Sequence, residues 1–112
     1  MIKKLLSLLG VTLFMVAAAM AQEKPHMVLF WNLENLFDIY DDPETRDDEF
    51  TPEGVRAWNE VKYGKKLANI ERVIFDIAAI QRNYPAVIGV SEIENRMVLE
   101  DLVMQLKCSR SA

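Results

Sequence analysis

The sequence predicts an α/β chain, a βαβα unit preceded by a signal-peptide helix. Three observations predict it. Two short, uninterrupted apolar runs, residues 27–31 and 86–90, each end abruptly on polar residues. Between them lies a long stretch whose apolar residues recur at three- and four-residue spacing, the period of an amphipathic helix. A second stretch of that kind follows the second run. Strand, helix, strand with a crossover of this length makes the two strands parallel, so both finish at one edge of the sheet.

The first 21 residues are read apart from the fold. Lys3 and Lys4 form a basic start, residues 5–20 form an apolar core, and Ala19-Met20-Ala21 places small residues around a cut before Gln22. That is the three-part pattern of a cleavable signal peptide. The apolar run of 16 residues falls short of the ~20 that a spanning helix needs, and no basic cluster follows it to stop transfer. The expected product is therefore exported, periplasmic or secreted, with no stable membrane anchor after cleavage. No Cys lies near the cut, which argues against a lipid anchor. Residues 22–112 form the expected domain, 91 residues in length, and the loss of Lys3 and Lys4 moves the net charge from −4 to −6. Such a charge argues against non-specific polyanion binding. It is compatible with a phosphate substrate held through metal ions. Cys108 is the only cysteine, so an intrachain disulfide is excluded.

Within the domain, residues 27–31 read as a strand buried on both faces. Residues 38–49 follow, with Asp41, Asp42, Glu44, Asp47, Asp48 and Glu49 around Pro43, and read as a solvated loop. An EF-hand is disfavoured, because the central Gly and the acid spacing of that loop are missing. Thr51-Pro52 marks a helix start, with Thr as cap and Pro in the first turn. A stronger helix runs from about Gly64, burying Leu67, Ile70, Ile74, Ile77 and Ala78, and ends at Asn83-Tyr84-Pro85. Residues 86–90 are the second strand, and residues 96–106 the second helix, with Val98, Leu99, Leu102, Val103 and Leu106 on one face.

Ligands of open parallel sheets bind outside the carboxyl ends of the strands. Asn32 and Glu34 follow the first strand there, and Glu92 and Glu94 follow the second. Neighbouring strands ~5 Å apart put Asn32 and Glu92 within reach of one another. Amide and carboxylate oxygens converging in a cleft suit a hard cation such as Mg²⁺. A turn cap at Asn32 and a solvated acid at Glu92 are the bland alternative.

Phe30-Trp31-Asn32-Leu33-Glu34-Asn35-Leu36 resembles the first motif of the endonuclease/exonuclease/phosphatase superfamily, and Ile88-Gly89-Val90-Ser91-Glu92 its second. The acidic loop with Phe50-Thr51-Pro52-Glu53-Gly54, and the run Glu92-Ile93-Glu94-Asn95-Arg96, resemble an exported bacterial branch. The resemblance covers residues 27–106. It implies the α+β four-layer sandwich of that family, with this chain as its N-terminal portion. It also implies metal-dependent hydrolysis of phosphodiester or phosphomonoester bonds. Glu92 would be the main metal ligand, Asn32 would orient water or phosphate, and Glu34 could reach the metal; Mg²⁺ is expected, with Mn²⁺ or Ca²⁺ as substitutes. Glu94, Asn95 and Arg96 are candidate substrate contacts, and Trp31 reads as core.

The substrate stays open among nucleic acids, phosphoinositides, sphingolipids and other phosphate esters, as does the oligomeric state. The family's later Asp-Asn and Asp-His motifs are missing, and the only histidine, His26, begins the first strand rather than ending it. The expectation is a truncated chain without appreciable hydrolase activity, whose residues 107–112 depart from the helix pattern. A small exported cation- or partner-binding module, using Asn32, Glu92 and the acidic loop, is the alternative.

Overall fold

A computed structural model describes residues 25–110, together with residues 1–4, 6, 7 and 15. The cut site and most of the apolar core expected of a signal peptide lie outside the described residues. No helix among the described residues is long and apolar enough to cross a membrane.

The elements run β1 (Met27–Leu36), a 3-10 turn (Asp48–Phe50), α1 (Glu60–Gln81), β2 (Pro85–Ile93) and α2 (Arg96–Arg110). The two strands pair in parallel, with Leu29 opposite Ile88, Trp31 opposite Val90 and Asn32 opposite Ser91. Leu33 and Leu36 of β1, Leu67, Ile70 and Ile74 of α1, and Val98 and Leu102 of α2 form the core, and Leu29, Trp31, Ile88 and Val90 pack against it. Trp31 is thus a packing residue, as its place in the apolar run predicts. The strands are covered on one face only. Val28 and Phe30 are exposed, as is Val87, which corrects the expectation of burial on both sides. The apolar run hides this because the alternation of a half-covered strand needs polar residues on its open face, and β1 has none before Asn32.

Helix α1 starts at Glu60, where Asn59 accepts a hydrogen bond from the Lys62 N–H, and not at Thr51-Pro52. The Thr51 hydroxyl donates backwards to the Asp48 carbonyl, and the Trp58 N–H returns to the Thr51 carbonyl. Ala57 then takes a left-handed backbone, φ 43°, which no helix continues through. The core stripe of α1 narrows to Leu67, Ile70, Ile74 and Ala78. The helix ends at Arg82, in the left-handed conformation, whose N–H reaches the Ala78 and Ala79 carbonyls.

Helix α2 buries Val98 and Leu102, whereas Leu99 and Val103 are each 40 % exposed. One position per turn, Val98 and Leu102 with Leu106 partly buried beyond them, suffices to meet this small core, so the apolar face predicted for α2 is wider than the contact. The helix also runs on through Lys107 to Arg110, past the end predicted at Leu106. Tyr63 donates its hydroxyl to Asp101, and Gln105 bonds Glu71, tying α2 to α1. The first turn of α2 is closed by Asn95, whose Oδ1 accepts from the Val98 N–H at 3.0 Å while its Nδ2 donates to Asp38 at 2.9 Å. Asn95→Ala is expected to lose the cap, about 1 kcal/mol, together with the Asp38 bond. Its thermal midpoint should fall by at least roughly 4 °C; a midpoint within a degree of the parent would show that the cap is dispensable.

Candidate functional site

The strand ends are not regular. Asn32 lies opposite Ser91 and Leu36 opposite Ile93, so residues 33–35 of β1 bulge against Glu92 alone. Three residues of this bulge hold left-handed backbone without being glycine: Glu34 at φ 51°, Asn35 at φ 60° and Glu92 at φ 55°. Each such residue costs about 1–3 kcal/mol and persists where its surroundings over-determine it. Here the surroundings are specific. The Asn32 Nδ2 donates to Glu92 Oε1 at 2.8 Å, and Asn32 Oδ1 accepts the Glu34 N–H at 2.8 Å. Lys66 reaches up from α1 and donates to the Glu34 and Asn35 carbonyls at 2.7 and 3.0 Å. Burial holds the Lys66 ammonium below its usual range, opposed by the charges of Glu34 and Glu92.

Two clefts open beside this bulge. One, about 270 Å³, is lined by Trp31, Asn32, Glu34, Lys66 and Asn69 among others. The next, about 280 Å³, shares Glu34 and Lys66 and adds Arg56, Lys62, Phe50 and Trp58. Arg56 lies 4.8 Å over the Phe50 ring and Lys66 5.8 Å over Trp58, so aromatic faces and cations alternate along it. Carboxylates at the sheet edge therefore adjoin a basic wall. The sequence hides that wall, because Arg56, Lys62 and Lys66 look like ordinary helix-surface cations until the bulge gives them something to face.

The donor set can be tested against a hard divalent cation. Glu92 is exposed and gives one oxygen to Asn32, leaving the other free to bind. The Asn32 amide oxygen is engaged by a backbone N–H, so this residue aims Glu92 more directly than it offers itself. Glu34 is close enough for its charge, with that of Glu92, to be felt at Lys66. Few, hard, oxygen donors fit an ion that keeps most of its waters, as Mg²⁺ does.

The other three sequence candidates have structural partners. Glu94 accepts the Asp38 N–H at 2.8 Å, Asn95 caps α2, and Arg96 pairs with Glu100 one turn along the helix at 2.7 Å. Burial, with the charges of Asp38 and Asp47 and against the Asp38 N–H, pushes the Glu94 carboxyl from 4.5 up to about 7. The folded chain therefore keeps a proton that the unfolded chain releases. Stability from this group is complete below about pH 4.5 and is lost as pH rises through 7. Glu94→Gln keeps the acceptor for Asp38 and removes the titration. In metal-free buffer its urea midpoint should exceed the parent's at pH 8, and the gain should shrink or vanish at pH 5. An equal gain at both values would disprove the assignment.

Residues 27–111 match the profile of the Endonuclease/Exonuclease/phosphatase family. No curated protein and no solved structure matches the chain.

Proposed function

The chain belongs to the endonuclease/exonuclease/phosphatase family, a phosphoesterase-type group, and from that premise we propose that it carries metal- and phosphate-binding residues of a metal-dependent phosphoesterase site. The observation that carries this reading is the 2.8 Å bond from Asn32 to Glu92. It holds a carboxylate at the paired strand ends, beside a wall of cations. Glu92 would hold the metal, with Glu34 as a second carboxylate. When bound, Mg²⁺ would neutralise charge building on the phosphoryl oxygens. Asn32 fixes the direction of Glu92 and, through the Glu34 N–H, the path of the bulge. Lys66 has one N–H left after its two carbonyl bonds, and with Arg56 and Lys62 it supplies counter-charge to a phosphate ester lying in the clefts. Aromatic faces at Phe50 and Trp58 offer an apolar bed for an ester group. The cofactor is thus Mg²⁺ by preference, and the substrate a phosphodiester or phosphomonoester, nucleic acid among the options. Export to the periplasm or beyond, and the four-layer sandwich of the family, belong to the same proposal.

Attack by water at neutral pH needs a positioned base. Among the described residues no histidine stands near Glu92: His26 precedes β1 and lies roughly 20 Å from Asn32 at ~3.3 Å per residue. The chain is therefore expected to bind Mg²⁺ and phosphate esters without appreciable turnover. Calorimetric titration with MgCl₂, in the presence and absence of bis(p-nitrophenyl) phosphate, tests this. Saturable binding of both, with the diester bound more tightly when Mg²⁺ is present, supports the reading. Absence of Mg²⁺ binding removes it.

A further inference from the structure

The two clefts beside the bulge lie end to end and differ in chemistry. Lys66 and Glu34 line both. On α1 the residues of the first cleft, Asn69, Ile70 and Val73, follow Lys66, whereas Lys62 of the second precedes it by one turn. The clefts therefore run in opposite directions along the helix from Lys66. The first is walled by Trp31, Ile70 and Val73, and past Lys66 it offers one polar side chain, Asn69. The second gathers positive charge. Arg56 lies 4.8 Å over the Phe50 ring and holds Glu49 through Nε at 3.0 Å, which leaves the outer N–H groups of its fork for a ligand. Lys62 gives one N–H to the Arg56 carbonyl at 2.7 Å and keeps two. The ion pairs among the described residues are Arg56 with Glu49 and Arg96 with Glu100, so neither Lys62 nor Lys66 has a carboxylate in pairing reach.

We propose that Arg56 and Lys62 form a second anion subsite, so that the ester bound here is a phosphodiester with an apolar group on one arm and a further phosphate on the other. The proposal rests on the metal-dependent phosphoesterase reading, which puts the reacting phosphate beside Lys66. A phosphodiester carries a single negative charge, and Mg²⁺ with Lys66 already matches it. Arg56 and Lys62 are then in excess, one turn away, and cations gathered in a cleft raise the local concentration of anions. Arg56 suits a terminal phosphate, because its planar fork offers paired donors. The apolar arm lies toward Ile70 and Val73, where no cation waits for it, and the charged arm passes Trp58 toward Lys62. A phosphomonoester has one arm only and would leave one cleft empty.

The test is calorimetric binding to the 112-residue chain in saturating MgCl₂, with two probes that differ by one phosphate. Thymidine 5′-(p-nitrophenyl phosphate) has an aryl arm and an uncharged nucleoside arm; its 3′-phosphate derivative adds the second anion. The added phosphate should tighten binding by about tenfold or more, the worth of one charge-assisted hydrogen bond. Lys62→Met should lose most of that gain. Lys65→Met, at an exposed position that lines neither cleft, should keep it, which separates the subsite from a general effect of net charge. The same two probes without the thymine distinguish the sources of the second phosphate. A gain that persists marks any phosphorylated alcohol as a ligand, and one that needs the base marks a nucleotide held against Trp58. Equal affinity of the parent for the two thymidine probes, each bound more tightly with Mg²⁺ than without, overturns the subsite and leaves the metal reading standing. If neither probe responds to Mg²⁺, the metal reading itself fails and the subsite falls with it. A gain that survives unchanged in Lys62→Met overturns the assignment as well.

Discussion

Glu92→Gln is expected to weaken Mg²⁺ binding at the strand ends by more than ~100-fold while leaving the fold intact. The size follows from what is removed. Losing a group that only orients a ligand lowers metal affinity about 10–100-fold, and Glu92 is the ligand so oriented. Gln has the same volume, and its amide oxygen still accepts from Asn32 Nδ2, so the bond that holds the bulge at 2.8 Å survives. What disappears is the negative charge. Asn32→Ala tests the other half of the pair. It leaves the Glu92 carboxylate free to swing and the Glu34 N–H without its acceptor, and affinity should fall by about 10–100-fold. Calorimetric titration with MgCl₂, each variant beside the parent chain, makes both comparisons. If Glu92→Gln binds Mg²⁺ like the parent, the carboxylate at the strand ends is a surface acid and the metal reading falls.

The positions of Asn32 and Glu92 are legible in the sequence for a simple reason. Each follows an apolar run that must stop where the sheet meets solvent, and parallel pairing then brings the two stops together. The strain that shapes the site is not legible. Left-handed backbone usually announces itself as glycine, yet Glu34, Asn35 and Glu92 adopt it, held by Lys66 and Asn32 from elsewhere in the chain. The same holds for the acidic loop. Its acids read alike in sequence, and only the 3-10 turn decides that Asp47 is buried while Asp41 and Asp48 are not. Glu94, Asn95 and Arg96 illustrate the converse. Polar residues just past a strand end look available for substrate, but the start of α2 claims Asn95 as its cap and the Asp38 N–H claims Glu94. The helix start read at Thr51-Pro52 is missing for a tertiary reason as well, while α1 itself begins at Glu60, four residues before Gly64. Trp58 is anchored by its indole N–H to the Phe37 carbonyl at 3.0 Å and packs edge-on to Phe50, so the chain must finish that contact before Asn59 can begin a helix.

Leu36→Ala is expected to do more damage than any other single truncation of the chain. Leu36 is 0 % exposed and sits in the cluster where β1, α1 and α2 meet. Removing its three outer carbons costs about 2–5 kcal/mol, the upper part of that range where the site cannot collapse. Collapse is restricted here. Leu36 forms the last rung of the sheet opposite Ile93, and its carbonyl accepts the Glu94 N–H at 3.0 Å, so the backbone is fixed on the far side of the bulge. A small domain has a total stability near the lower end of about 5–15 kcal/mol, and a loss of this size takes most of it. The site should go with the core, because the bulge is held between two rungs, Asn32 with Ser91 and Leu36 with Ile93. Mg²⁺ affinity is therefore expected to fall in Leu36→Ala although the side chain touches no ligand, and saturating Mg²⁺ should restore part of the lost urea midpoint. Leu99→Ala, at a position 40 % exposed on α2, is the control and should shift the midpoint far less. Equal shifts for the two would mean that the packing around Leu36 is not what closes the strand ends, and that Lys66 and Asn32 hold the bulge without it.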